Sequence, residues 1–490
     1  MNAVATSGLQ QLRQIARRAL LERGLLPDFS AAALAQLDTI RAPARDSGAG
    51  IRDLRGLLWA SIDNDDSRDL DQLSVAQELA AGAVRIMVAI ADVDATVRRG
   101  SPIDEHARCN TTSVYTVAQT FPMLPEKLST NFTSLCQGQE RLAIIVEMTV
   151  EASGAVTASD LYRALVVNRA KLAYNGVARW LEGAAAAAPA QLAVDGLDRQ
   201  LRIQDSVAQA LKRVRQAHGA LDLDSVEPTP VFEGERLTDL RPDPGNRARQ
   251  LIEDFMIAAN SITAAFLAAR GMPVLRRVLP TPRRWDRIVA LASALGDVLP
   301  DTPSAPALSK FLVRRRQLDP ERFPDLSLSV IKLLGRGEYV LESPGRQTAG
   351  HFGLALDQYT HSTAPNRRYP DIIEQRLLKA ALDGHVAPYA EAELQAIAAH
   401  CTLQEHNAAK VERQLRKSAA ALLLSVRIGQ YFDAIVTGAS DKGTWVRISA
   451  PTTEGKLVRG FEGVDVGDRL RVALVHTDVE RGYIDFERLT

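Results

Sequence analysis

Five aspartates, Asp63, Asp65, Asp66, Asp69 and Asp71, stand within nine residues, and both flanks of the run read as protein core. Leu57-Leu58-Trp59-Ala60-Ser61-Ile62 precedes it and Leu73-Ser74-Val75-Ala76 follows. Beyond an Ala/Gly turn, Val84 to Ala91 is a buried-strand pattern ending at Asp92. Crowded carboxylates repel and raise one another's pKa values. A chain accepts that cost most readily where a divalent cation neutralises it, and Mg²⁺ takes carboxylate oxygens while keeping waters for a phosphate. Two other readings compete. An acidic run is commonly a solvated loop. A calcium loop would use Asp63, Asp65, Ser67 and Asp69 as its first four odd positions, but Arg68 stands where it needs Gly and Ser74 where it needs Glu. Acids held between core strands favour a site.

At 490 residues the chain has room for two to four domains. Its 59 basic and 59 acidic residues cancel, so nucleic-acid binding would need positive charge gathered locally. Arginines do gather, at Arg276-Arg277, Arg283-Arg284, Arg314-Arg315-Arg316 and Arg367-Arg368, although any one pair reads most simply as surface. Cys109, Cys136 and Cys401 are few and scattered, which points to reduced thiols in a cytoplasmic protein. No run approaches about 18 uninterrupted apolar residues, and no basic stretch leads into an apolar core at the N-terminus, so neither a membrane span nor a secretory signal is expected.

Residues 1 to 50 read as helical, with a linker at Arg41 to Gly50. Strands dominate from 51 to about 165. The clearest helix runs from Asn246 to a stop at Gly271, another from Pro370 to Gly384, and a long one from Tyr389 to Arg427. Ala184 to Ala188 reads as a helix end or loop insertion. Five short strands with glycine at the turns then fill 427–490, which suits a small OB-type barrel. Tyr431, Phe432 and Trp445 are candidate base-stacking faces there, with at least one expected in the core.

Taken in order, these stretches resemble the ribonuclease II family, whose catalytic unit is the RNB domain. The blocks are the acidic run, Ala89-Ile-Ala-Asp-Val93 with Gly100 to Asp104, Tyr115 with Phe121 to Pro125, Lys171 to Tyr174, Ile252 to Asn260, and His351 to Leu356 leading to Thr363 to Asp371. The resemblance implies an α/β multidomain protein with an N-terminal helical region (1–50), an RNB catalytic domain (51–426) and a C-terminal five-stranded OB barrel (427–490). It implies a hydrolytic exoribonuclease acting from the 3′ end of single-stranded RNA and releasing 5′-mononucleotides, with Mg²⁺ as cofactor and Mn²⁺ as alternative. Asp71 would be the most important acid, Asp63 and Asp69 metal ligands, and Arg367 the active-site arginine. Tyr115, Tyr174, Glu253 and Arg368 would contact RNA, joined by Tyr431 and Trp445 from the barrel. A monomer is expected.

Departures from the family pattern qualify this. Gln72 replaces a second adjacent aspartate and brings an oxygen without charge, so Asp65 or Asp66 becomes a candidate substitute. Leu223 stands where a clamping phenylalanine is common. Val278 and Gln375 stand where histidines are expected. The family's usual cold-shock domains are expected to be replaced by the helical or winged-helix-like first 50 residues, with greater tolerance of structured RNA. The alternative reading is a catalytically weak RNA-binding protein that lost its metal through Gln72.

Overall fold

The computed structural model describes residues 2–489 apart from 47, 49, 184–193, 225–227, 234, 235, 243, 244, 441 and 442, so the alanine run lies outside the described residues. Helices α1 (Asn2–Leu21) and α2 (Ala31–Thr39) open the chain, the second capped by Ser30, whose Oγ accepts from the Ala33 N–H. Among the described residues this region holds no strand before Ile51, so it lacks the wing of a winged helix.

Then come strands β1 (Ile51–Asp53), β2 (Ala60–Asp63), β3 (Gln72–Glu78) and β4 (Val84–Ala91), helix α3 (Pro102–Asn110), and a small hairpin, β5 (Val114–Tyr115) and β6 (Thr120–Phe121). Strands β7 (Glu140–Val150), β8 (Val156–Val167) and β9 (Ala170–Ala173) complete a seven-stranded sheet in the order β1-β8-β7-β4-β3-β2-β9. The β7–β8 turn needs Gly154: its φ is +90°, and a Cβ there would lie 2.4 Å from the Ala210 carbonyl oxygen.

Helices α4 (Tyr174–Leu181) and α5 (Leu197–Ala217) follow, then the hairpin β10 (Pro228–Glu233) and β11 (Arg236–Pro242), and α6 (Arg247–Ala269). Strand β12 (Val274–Val278) pairs with β13 (Glu338–Glu342) around α7 (Trp285–Ala294), α8 (Ala305–Leu318) and α9 (Phe323–Leu334). Last in this body are α10 (Tyr369–Leu382) and α11 (Glu391–Leu424).

The sheet is buried on both faces, which explains the unbroken apolar run of β4. Ile86, Val88 and Ile90 pack toward Val177, Leu201, Leu211 and Phe255 of α4 to α6. Met87, Ala89 and Ala91 pack toward Ile372, Leu377 and Ile397 of α10 and α11. Helix α6 is the one described helix long and apolar enough to cross a membrane, and just over half of its most apolar stretch is buried inside the fold. The apolar stripe of α1 (Leu12, Ile15, Ala19) packs on Val411 and Leu415 of α11, which ties α1 to the central body.

Strands β14 (Tyr431–Ser440), β15 (Gly443–Ser449), β16 (Thr452–Arg459), β17 (Arg469–Asp478) and β18 (Tyr483–Arg488) close into a barrel. Phe432, Val446, Val472 and Phe486 fill it together with Leu424 from the end of α11. Phe432 is therefore core and not a stacking face.

Candidate active site

Strand β2 ends at Asp63 and β3 begins at Gln72, so the acidic run is the loop joining two adjacent sheet strands. Ser134 fixes that loop twice: its Oγ accepts from the Leu70 N–H at 3.0 Å and donates to the Arg68 carbonyl at 2.7 Å. Asp63 Oδ1 accepts from the Asn64 N–H and the Ser67 hydroxyl, which turns the chain away from the strand. Strand β9 lies parallel to β2 with Ala173 opposite Asp63, and this register sets Tyr174 beside the acids.

Asp71 is buried, with 3% exposure. Its Oδ1 accepts from the Asn366 N–H at 2.9 Å, and its Oδ2 lies 3.7 Å from Arg367 Nε. Burial pushes its carboxyl up to about 7 against the pull of Arg367. Burial raises Asp69 as well, and the Tyr115 hydroxyl stands 3.4 Å from Asp69 Oδ2.

Arg367 is aimed by a tightly fixed turn. The Ala364 N–H donates to Asp371 Oδ1, which also accepts from Arg368 Nη2 at 2.7 Å. The Ser113 N–H donates to the Arg367 carbonyl and the Tyr369 N–H to the Thr111 carbonyl, so one backbone ladder places both Arg367 and Tyr115. The Arg367 side chain keeps half its exposure, and that exposure opens into a cavity of about 620 Å³. Asp63, Asp69, Asp71, Gln72, Tyr115, Tyr174, Glu253, Arg367 and Arg368, dispersed over 306 positions, all line it.

Other expected residues lie elsewhere. Asp65 and Asp66 are solvent-exposed and do not line the cavity, so neither replaces the missing aspartate at Gln72. Leu223 packs against the α7–α9 core and is not among the cavity residues. Gln375 spans two backbone groups, donating to the Ala91 carbonyl and accepting from the Asp94 N–H. Val278 is buried. Tyr431 is exposed and Trp445 half-buried, both on the barrel and not in the cavity wall.

Sequence reasoning missed a second wall of the same cavity: Arg277, His351, Tyr359 and His361. Arg277 pairs with Glu405 of α11 at 2.6 Å, and His361 Nδ1 meets the Tyr339 hydroxyl at 2.7 Å. Burial, helped by neighbouring arginines, holds His361 well below the usual histidine range and brings His351 down to about 4, so both rings are neutral. The Arg276-Arg277 doublet was the available signal, but the surface reading of each pair concealed it; Arg276 is in fact buried and paired with Glu342.

Among the described residues no three His, Cys, Asp or Glu side chains stand close enough to cage a metal ion by themselves. That suits Mg²⁺, which takes one or two carboxylates and completes its shell with water and substrate phosphate. Asp63, Asp69, Asp71 and the Gln72 amide line one cavity and offer it hard oxygen donors, the kind such an ion takes. The residues present therefore fit such an ion.

Comparison with known proteins agrees with this geometry. Residues 51–384 match the RNB domain, and residues 430–489 match the RNase II-type exonuclease C-terminal S1 domain. Ribonuclease R of Aquifex aeolicus is 31% identical over 464 residues, covering 89% of this chain and 64% of that protein. Ribonuclease R of Escherichia coli is 30% identical over 428 residues, covering 82% of this chain and 50% of that one. The chain thus spans between half and two-thirds of the length of these relatives. In fold it superposes on Mycoplasma genitalium RNase R, solved with ribose-methylated single-stranded RNA, with a TM-score of 0.85 at 22% identity, covering 97% of this chain and 77% of that one. With its acid loop, its arginine turn and a matching domain model over most of its length, this chain belongs to the RNB family.

Proposed function

We propose that this chain is a hydrolytic exoribonuclease that shortens single-stranded RNA from the 3′ end, depends on Mg²⁺ and releases 5′-mononucleotides. The observation that carries the reading is the buried Asp71 beside Arg367, on the wall of a cavity that also holds Asp63, Asp69 and three tyrosines. The names of the relatives support it, as does the RNA in the solved Mycoplasma protein.

One or two carboxylates of Asp63, Asp69 and Asp71, with the Gln72 amide oxygen as a further donor, would hold the ion, and water and substrate phosphate would complete its shell. The chemistry such an ion would supply there is polarisation of the scissile phosphate and a lowered pKa for the attacking water. The chain's own groups do the rest. Arg367 presents a half-exposed guanidinium to phosphoryl oxygens that gain charge in the transition state. Tyr115, which is 44% exposed, offers a stacking face for a base. Glu253 can accept a hydrogen bond from a ribose 2′-hydroxyl, a contact DNA cannot make. The neutral His351 and His361 add no positive charge to the wall facing the acids.

A weak RNA-binding protein is the second reading, favoured by the missing charge at Gln72. Incubation of 5′-labelled single-stranded RNA with increasing Mg²⁺, then with EDTA, separates the two. Metal-dependent shortening with 5′-mononucleotide product is the expected result. Intact RNA at every Mg²⁺ and Mn²⁺ concentration, with binding retained, would overturn the enzyme reading.

A further inference from the structure

Residues 133–135 stand between the acid loop and the arginine turn and bond to both. On the acid side, Ser134 holds the Leu70 N–H and the Arg68 carbonyl, and the Leu135 N–H donates to the Leu70 carbonyl at 2.9 Å. On the arginine side, the Thr133 hydroxyl donates to Asn366 Oδ1 at 2.5 Å, and Asn366 Nδ2 donates to the Thr133 carbonyl at 3.4 Å. The strip is itself anchored. The Thr133 N–H donates to the Leu128 carbonyl, closing a wide helical turn over Leu128–Phe132. Asn168 Nδ2 donates to the Leu135 carbonyl and to the Ser61 hydroxyl of β2.

Thr133, Ser134 and Asn366 are all buried, and none of them lines the cavity. Their reach into it runs through Asn366, which faces two ways. Its side chain is tied to Thr133, and its backbone N–H donates to Asp71 Oδ1 at 2.9 Å. Arg367 is the next residue, and its Nε lies 3.7 Å from the other Asp71 oxygen. The Asp71 backbone is already fixed, its carbonyl accepting from the Ala91 N–H of β4. What remains to be set is the carboxylate and its distance from the guanidinium. Holding the Asn366 amide at both its oxygen and its nitrogen fixes the backbone behind it, and with it the direction of the N–H that meets Asp71. A buried polar pair satisfied on both members specifies one arrangement, whereas a half-satisfied one is destabilising.

We propose that Thr133 and Asn366 are a positioning pair that sets the spacing of Asp71 and Arg367, and so the geometry in which the phosphodiester is cut. The proposal rests on the exoribonuclease reading.

Thr133→Val removes the hydroxyl at nearly constant volume, and Thr133→Ser keeps it. Asn366→Leu removes the side-chain amide but keeps the backbone N–H. Thermal melting shows which variants are folded, and shortening of 5′-labelled RNA in Mg²⁺ gives kcat and KM. Thr133→Val and Asn366→Leu should each lower kcat about tenfold with KM within about twofold, because misplaced groups lose rate and not ground-state binding. Thr133→Ser should stay within about twofold of wild type, and the double variant should fall no further than the worse single one, since the pair acts as a unit. Ser309→Ala removes a buried hydroxyl of α8 bonded to the Ala220 carbonyl, neither of them a cavity residue, and should lose stability without losing kcat. Unchanged kcat in both single variants, a Thr133→Ser as slow as Thr133→Val, or additive falls in the double variant would overturn the proposal. So would an equal fall in Ser309→Ala. A wild type that never cuts would instead overturn the exoribonuclease reading, and hydrogen exchange then decides the pair alone. Peptides spanning 360–369 should exchange about tenfold faster in Thr133→Val than in wild type or Thr133→Ser, and equal exchange in all three would refute it.

Discussion

Asp371 makes no contact with solvent, yet it holds the turn that aims Arg367. One of its oxygens accepts from both the Ala364 N–H and Arg368, and the other has no partner among the described residues. Asp371→Asn preserves shape and can keep the bond from Ala364, but it leaves the Arg368 guanidinium without its counter-charge. Unit charges about 4 Å apart attract by about 4 kcal/mol at an effective dielectric of about 20. Breaking a buried pair by removing one partner costs about 3–5 kcal/mol. The Arg368 side chain keeps a quarter of its exposure, so water recovers part of this, and a loss of about 2–4 kcal/mol is expected. Urea unfolding followed by tryptophan fluorescence measures it. Arg368→Met in the Asp371→Asn background should restore part of the loss, giving a coupling of about 2 kcal/mol. A loss below about 0.5 kcal/mol, or additivity within that margin, would refute the idea that this pair fixes the turn.

Three further outcomes are expected. Gly154→Ala should lower stability by about 1–3 kcal/mol, because its Cβ meets the α5 backbone at a positive φ; an unchanged melting curve would contradict the contact. Burial raises the Glu374 carboxyl from 4.5 to about 8. The folded state therefore retains a proton that the unfolded state has lost, and this group's stabilisation, full below about pH 4.5, disappears as pH rises through 8. Glu374→Gln should flatten the stability–pH curve between those limits, whereas an unaltered slope would show that Glu374 is ionised in the fold. Tyr115→Ala should weaken single-stranded RNA binding by about 1–3 kcal/mol whatever the base sequence, measured by fluorescence anisotropy, and equal affinity would remove Tyr115 from the RNA path.

The parts of this molecule written into the sequence are those set by local pattern. The acid loop was legible because β2 and β3 flank it with apolar residues, and α6, α10, α11 and the barrel strands followed from periodicity and glycine placement. Long-range partners were not. Nothing near Arg277 announces that Glu405 of α11 will pair with it and hold it in the wall facing the acids. His351 opened a matching block and His361 fell between two, but their neutral state depends on enclosure by other elements of the fold and on the arginines those elements contribute. Asp65 and Asp66 misled because proximity in sequence is not proximity in space: the turn that starts at Asp63 points them to solvent. At Gln375 an amide donates to one backbone carbonyl and accepts from one backbone N–H, so both ends of the side chain are used inside the fold, a pairing no local pattern announces.

The proposed hydrolysis turns on Asp71, and the most direct test compares wild type with Asp71→Asn on 5′-labelled single-stranded RNA in Mg²⁺. The asparagine keeps an oxygen for the Asn366 N–H, so the fold and RNA binding should survive. Wild type should shorten the RNA to a small end product while the variant binds it and leaves it whole. Cutting by both proteins at similar rates would remove Asp71 from the chemistry. Binding without cutting by either, in Mg²⁺ or Mn²⁺, would show that this cavity holds RNA but does not hydrolyse it.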